Sequence, residues 1–580
     1  MTQPPGQQPP QGGFGAPFDP TPGLYGQPPQ PSQPPQPSQQ PYGQPQQPPQ
    51  PQPYGQPPQY QQPTQYQQPP LYGQPPQPPP YGQPQQPPQP PQSGAPGSGG
   101  RSRRRTVGIV SAALAGVLIV GGGVWFAVVK GDSGGDDAKK PVAEKSAEPG
   151  APSGPSGAGA SPAPGPDQLN AGRGAGEGKV LWVQQNGVDL PRNGADAQGP
   201  WLVGDTVVKA MYRTVSAYSV VDGKQKWSLR LASNVCAAPT RAAADGKIVI
   251  GVNDSTAGDA YCDHLQMIDL TTGKAGWRKG YDRPGAWDGL SDVTMAINGD
   301  VVTVGRTSRT DAYRISDGKV LWGKLPGNCQ PFGFVSGDLP LAATSCQTEA
   351  DDHKEQQVQR IDPATGRVQW TYKVKKGWQV DQFYSVSPPV VSLKKGEDQW
   401  GVAVLNSDGT YRSQLVGGSD DYGPSCAKEL RTQGKNLDNC LGVATDAATD
   451  TFYLATKPKP GARDITNAVV AFDLKTGASK WKAAAPAGQT LMPLRVEGGK
   501  VLMYLSAAKG KGGGIMSLPP TGGTPQPVLR HPASAAAVER GFFSPLVAYA
   551  DGRTLLMHPT VSGGTDEEEK AMPTMVAFGD

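Results

Sequence analysis

Gly131-Asp-Ser-Gly-Gly135 has the residue order that surrounds the nucleophile of a serine protease. Such a serine needs an imidazole base held within hydrogen-bond reach by a rigid scaffold. The nearest histidine, His264, lies 131 residues downstream, and the run sits in a Gly-rich stretch with no fold pattern around it. Lys475-Thr-Gly477 has the order of a β-lactamase box, but it is the turn of a phrase that recurs along the chain. The four histidines, His264, His353, His531 and His558, stand too far apart for a local metal motif. Asp254 and the pair Asp420-Asp421 are loop acids able to ligate a cation, and lone loop acids are ordinarily solvated. Six cysteines, Cys236, Cys262, Cys329, Cys346, Cys426 and Cys440, include no C-x-x-C pair, which argues against zinc. No catalytic, cofactor-binding or metal-binding residue is therefore assigned, no cofactor is expected, and the reading leans away from an enzyme.

The elements that would position any such group come from a repeat. Ile268-Asp-Leu-Thr-Thr-Gly-Lys-Ala-Gly-Trp277 recurs as Ile361-Asp-Pro-Ala-Thr-Gly-Arg-Val-Gln-Trp370 and Phe472-Asp-Leu-Lys-Thr-Gly-Ala-Ser-Lys-Trp481. Shorter copies end at Trp227 and Trp322. Successive spacings from Trp227 are 50, 45 and 48 residues, then 111, so one copy lies between Trp370 and Trp481 without its Trp. Gly401-Val-Ala-Val-Leu-Asn-Ser-Asp-Gly-Thr-Tyr411 keeps that copy's strand, turn and an aromatic. Asp245-Gly, Asn298-Gly and Asp551-Gly each precede an apolar run, a strong hairpin signal because both turn residues tolerate positive φ. Several short strands in a unit of about 45 residues predict four-stranded propeller blades.

The array's ends are complementary. The chain finishes Met575-Val-Ala-Phe-Gly-Asp580 without the turn and Trp, and Glu177-Gly-Lys-Val-Leu-Trp182 stands alone before the first full copy. The N-terminal strand is expected to complete the last blade and close the ring, leaving no open sheet edge. From Trp182 to Asp580 there are 399 residues. The measured spacings favour eight blades of about 50 residues over seven of about 57. The fold expected is all-β, an eight-bladed propeller over residues 177–580, with seven blades as the alternative.

The phrase resembles the tryptophan-docking repeat of pyrroloquinoline-quinone-type (PQQ-like) β-propellers. That family includes quinoprotein dehydrogenases, the propeller lipoprotein of the outer-membrane assembly machine, and sensor ectodomains of some actinobacterial Ser/Thr kinases. The resemblance implies that Trp182, Trp227, Trp277, Trp322, Trp370 and Trp481 are structural girdle residues packed between blades. It also implies a rival reading, a dehydrogenase holding the quinone over Ca²⁺ bound by Glu, Asn and Asp, often capped by adjacent cysteines. This chain has no adjacent cysteines and short blades.

The chain ahead of the repeats has another composition. Residues 1–100 are rich in Pro, Gln, Gly and Tyr, with no Lys, Arg or Glu and a single acid, Asp19. They have almost nothing apolar to bury and are expected to stay disordered as a cytoplasmic tail, a spacer or a contact for a cytoplasmic partner. Residues 101–106 carry four arginines, and 107–129 are 23 residues without charge, enough for about 34 Å of helix. The basic flank predicts a single-pass span with the N-terminus in the cytoplasm and the propeller outside. Gly108, Ala112 and Gly116 fall four apart, a spacing that suits helix pairing. Residues 130–176 read as a flexible Gly/Pro/Ala stalk.

All six cysteines lie in the propeller, as an oxidising compartment would require. Six allow fifteen connectivities, and pairing of neighbours gives the shortest loops. From residue 106 onward the charge is close to balanced, which argues against a nucleic-acid surface. Asp566-Glu-Glu-Glu569 is expected in a solvated hairpin loop of the last blade. The partners expected are the membrane, a protein or envelope ligand at a propeller face, and a cytoplasmic contact of the tail.

Overall fold

The computed structural model describes residues 164–580 apart from 192, 258–259, 282–292, 307–308, 348–354, 427–435 and 461–464. The expected tail, span and most of the stalk, with Ser133 and the Gly108 seam, lie outside the described residues. So does His353. Among the described residues no helix is long and apolar enough to cross a membrane.

Among the described residues eight antiparallel sheets of four or five strands follow one another, and a two-stranded hairpin, Lys459–Pro460 with Ile465–Thr466, projects from the sixth. Blades 1 to 7 span 195–230, 235–280, 294–322, 329–373, 379–414, 443–484 and 491–530, each built from four strands paired in chain order. A short strand, Thr560–Val561, adds to the inner edge of blade 1. Blade 8 takes Leu546–Ala550, Arg553–Met557 and Pro573–Gly579 from the end of the chain. Its outermost strand is Lys179–Gln185, paired from Lys179 opposite Gly579 to Gln185 opposite Pro573. Blade 5 ends on Tyr411–Gln414, so Tyr411 stands in the strand where six other blades place Trp, and blade 7, ending on Gln526–Arg530, has no aromatic there.

Burial explains the sequence pattern. A middle strand has neighbouring blades on both faces and reads as a continuous apolar run. Val301–Gly305, Thr451–Ala455 and Gly514–Leu518 are buried at every position. Outermost strands are mostly exposed, and Gln225–Arg230, Lys274–Gly280 and Ser479–Ala484 bear Lys or Arg and no acid. Charges on an edge strand discourage pairing with another sheet.

Two segments differ from the sequence reading. The helix Pro166–Asn170 lies inside the expected stalk, yet Leu169 is buried and Asn170 exchanges two hydrogen bonds with the Val180 backbone, each 2.9 Å. The ordered body thus begins ahead of the closing strand. The acidic run is not a solvated hairpin loop but the start of a helix, Asp566–Ala571. Thr565 caps it by accepting from Glu568 N, and acids in its first turn face the positive end of the helix dipole. Glu569 is buried and accepts from Leu190 N at 2.8 Å.

Candidate functional site

Strands run alternately outward and back, so the connections of a propeller separate onto two faces. On one face five hairpins close in two residues, at 204–205, 299–300, 387–388, 498–499 and 551–552, and the longest connection is 238–246. Every longer connection, 281–293, 415–442, 456–467, 531–545 and 558–572, lies on the other. We refer to these as the turn face and the insertion face.

The turn face holds the repeat phrase. Asp269, Asp362 and Asp473 each accept from the two backbone amides that follow the next residue, closing the turn on itself. The glycine that ends the turn has φ near +70°, and it lies flat on the Trp of the preceding blade: a Cβ at Gly223 would sit 2.6 Å from the Trp182 ring, and one at Gly273 2.5 Å from Trp227. Only glycine fits both demands. The indole N–H then donates across the junction. Trp182 reaches Val220 O at 3.1 Å, Trp277 Ile315 O at 2.7 Å, Trp322 Pro363 O at 2.8 Å, Trp370 Ser407 O at 3.0 Å and Trp481 Pro520 O at 2.7 Å. Trp227 Nε1 is buried with no partner among the described residues. Lys475 and Thr476 belong to one of these turns, and Lys475 pairs with Asp450 at 3.0 Å.

All three disulfides brace the insertion face. Cys236–Cys262 ties the first and third strands of blade 2, Cys329–Cys346 ties the first two strands of blade 4 in register, and Cys426–Cys440 closes a loop within the 415–442 connection. That last loop reaches the axis. Asn436 is fully buried; its Nδ2 donates to Ala238 O in blade 2 and its Oδ1 accepts from Met295 N in blade 3, both at 2.7 Å. Leu437 O accepts from Phe383 N of blade 5 at 2.7 Å. Asp438 Oδ2 accepts from Ser336 N of blade 4 at 2.8 Å and Thr240 Oγ1 of blade 2 at 2.9 Å. Groups from blades 2, 3, 4 and 5 converge only around the axis, so Asn436–Asn439 forms an axial plug. Burial pushes the Asp438 carboxyl above its usual range, partly opposed by the Ser336 N–H. Sequence reasoning missed this segment.

Several other buried polar groups act as structural locks. Glu539 accepts from Tyr504 OH at 2.9 Å, His531 Nδ1 at 2.8 Å and Gly513 N at 2.9 Å, and the His531 ring stacks 3.9 Å from Phe578 in the last strand. Desolvation followed by the Glu539 charge drives the Tyr504 hydroxyl well above its ordinary pKa. His558 stacks on Phe542 at 4.4 Å, and burial lowers its pKa to about 4. Lys209, buried where blade 1 meets blade 8, donates to Thr574 Oγ1 at 2.7 Å, and desolvation lowers its pKa to about 7. Asp420 pairs with Lys482 at 2.5 Å and Asp421 with Lys457 at 3.1 Å, while Asp254 Oδ1 accepts from Tyr261 N within its own loop. These acids are not brought together, and the described residues contain no group of three potential metal ligands.

Residues 172–326, blades 1 to 3 with the strand that closes blade 8, match a family model described as outer membrane protein assembly factor BamB. Over that segment the chain is a PQQ-like propeller repeat. Similar solved structures include BamB from Moraxella catarrhalis, at 15% identity over 69% of this chain and 100% of that one, with a TM-score of 0.37. A quinohemoprotein alcohol dehydrogenase from Comamonas testosteroni has 14% identity over 70% of this chain and 76% of its own, TM-score 0.41. A europium-containing methanol dehydrogenase has 13% identity over 69% and 93%, TM-score 0.40. No functionally curated protein matches the sequence.

A quinone over Ca²⁺ does not fit the axis of this propeller. Asn436 spends both polar atoms of its side chain on backbone of the surrounding blades, one Asp438 oxygen is taken by Ser336 N and Thr240 Oγ1, and Leu437 fills the space beside them in the core packed around Val335, Val380 and Phe383.

Proposed function

We propose that this chain is a non-enzymatic, membrane-tethered propeller that acts outside the cytoplasm as a protein-interaction scaffold or ligand sensor of the cell envelope. The observation that carries the reading is the axial plug: the place where several blades could share a cofactor is taken by the chain's own Asn436–Asn439. The disc that results is rigid, with its loop variety on one side, and that arrangement suits docking. Three disulfides fit an oxidising, extracytoplasmic compartment. The four arginines ahead of the uncharged stretch 107–129 supply the topology, N-terminus inside, with the stalk lifting the disc from the membrane and the Pro/Gln/Tyr tail as its cytoplasmic contact.

In-cell photo-crosslinking tests the reading. A crosslinker at Asp254 on the insertion face captures a defined envelope partner, and one at Thr272 on the turn face captures none; capture from Thr272 alone would overturn the assignment of the working face. Titration of the full chain in detergent with pyrroloquinoline quinone and Ca²⁺ leaves Tm unchanged and gives no dye-linked alcohol oxidation. A saturable shift with turnover would replace the scaffold by a dehydrogenase.

A further inference from the structure

We propose that a cleft between blades 1 and 2 on the insertion face binds a small anionic group, a carboxylate or a phosphate. The proposal deepens the docking reading and rests on it for the face involved. The cleft encloses about 80 Å³, room for a group of a few heavy atoms. It is lined by Arg230, the last residue of blade 1's outer strand, and by Arg278 and Ala275 of blade 2's, with Val252 buried beneath. A third arginine stands beside it. Arg213 Nη2 donates at 2.9 Å to Ala232 O, which belongs to the cleft, and its Nε is buried with no partner among the described residues.

These cations differ from several others on the rim. Lys226 pairs with Asp205 at 2.6 Å, Lys482 with Asp420 at 2.5 Å and Arg412 with Asp450 at 2.6 Å. Neither Arg213, Arg230 nor Arg278 meets a carboxylate among the described residues; Arg278 has only a 3.5 Å contact to Asn253 O. Two arginines line the cleft, and with no carboxylate against either their charge is available to an anion. A planar fork of N–H donors matches the paired oxygens of a carboxylate or phosphate.

The surrounding backbone is held in place. Tyr212, at φ 54°, makes a two-residue turn whose carbonyl accepts from Val235 N, while Arg213 O accepts from Leu231 N at 2.8 Å. Ser233 Oγ donates to Asn253 O at 2.5 Å, and Cys236–Cys262 fixes the strand that follows. A cleft built this way does not have to be ordered by its ligand.

The full chain in a non-ionic detergent, at constant ionic strength, is titrated by calorimetry with inorganic phosphate and separately with glutarate. Saturable binding of one of them is expected, identifying the source of the anion. Arg278→Gln and Arg230→Gln should each weaken it tenfold or more with Tm unchanged, and Lys226→Gln should leave it intact. Absence of saturation with both anions, or an equal loss in Lys226→Gln, would overturn the proposal. Anion binding with partner capture from the turn face would sink the working-face reading and spare the cleft; insertion-face capture without anion binding would do the reverse.

Discussion

The two faces of this disc obey different rules. On the turn face one arrangement recurs at most blade junctions: Asp folds the turn in three copies, glycine in the left-handed region lies on a Trp, and five indoles bond the next blade. On the insertion face no two connections are alike, and the disulfides, the axial plug and the arginine cleft all lie there or are reached from it. Repetition therefore marks where the molecule is held together, and irregularity marks where it has been shaped for something else.

The largest expected effect breaks the regular side. Trp277→Ala removes a half-buried indole, its hydrogen bond to Ile315 O and the surface under Gly318. Loss of a large aromatic at a packed junction costs about 3–5 kcal/mol. Guanidinium unfolding of the variant should show a midpoint displaced accordingly. A loss below about 1 kcal/mol would mean that strand closure alone carries the ring.

How much of this was legible follows the same division. The turn face could be read from sequence because its interactions are local and repeated: Asp, Gly and Trp fall within ten residues, and the copies check one another. Ring closure was legible for the same reason, as Glu177–Trp182 is a fragment of the phrase. The axial plug was not. Asn436 finds its partners 141 and 198 positions away, and nothing in Asn-Leu-Asp-Asn has a strand or helix period. Its one trace was the long connection bracketed by Cys426 and Cys440. The helix at 566–571 did have a local signal, Thr-x-x-Glu at Thr565–Glu568, which the count of acids concealed. The arginines at the cleft sit on separate strands and turns, so only the fold collects them.

Next in size comes the plug. Asn436→Ala leaves Met295 N and Ala238 O buried without partners, at about 1–3 kcal/mol for each group not rescued by water. Amide exchange separates this from the Trp277 effect: the Phe383 amide, which donates to Leu437 O, should lose protection ahead of the blade core. Uniform loss of protection would show that the plug and the blades unfold as one unit.

Lys209 tests the seam where the two ends of the chain meet. Its pKa falls from 10.5 to about 7 on burial. Above about pH 10.5 neither state binds the proton, and between there and about pH 7 only the unfolded chain does. Stability from this group therefore declines as pH drops through that window and levels off below about 7, where both states are protonated. The slope is about 1.4 kcal/mol per pH unit at most, so raising pH from 7 to 9 should stabilise the wild type by about 2 kcal/mol more than Lys209→Met. Denaturant curves of both proteins at pH 7, 8 and 9 measure the difference, and parallel pH dependences would mean that the amine is not desolvated.

The smallest effect sharpens the comparison most. Thr565→Ala removes the cap of the helix Asp566–Ala571 at a cost of about 1 kcal/mol, because Glu568 N loses its acceptor. That helix is an insertion, yet Glu569 ties it to Leu190 N and Asn186 Nδ2 reaches its backbone carbonyl, next to the closing strand. If the insertion face were independent of the ring, the variant would loosen the helix and leave the global midpoint where it was. Because these bonds connect it to the closure, the loss should appear in global unfolding too, with protection of the Leu190 amide falling in step. A local loss alone would mean that the insertion face can be altered without affecting the ring, as a docking surface free to change would require.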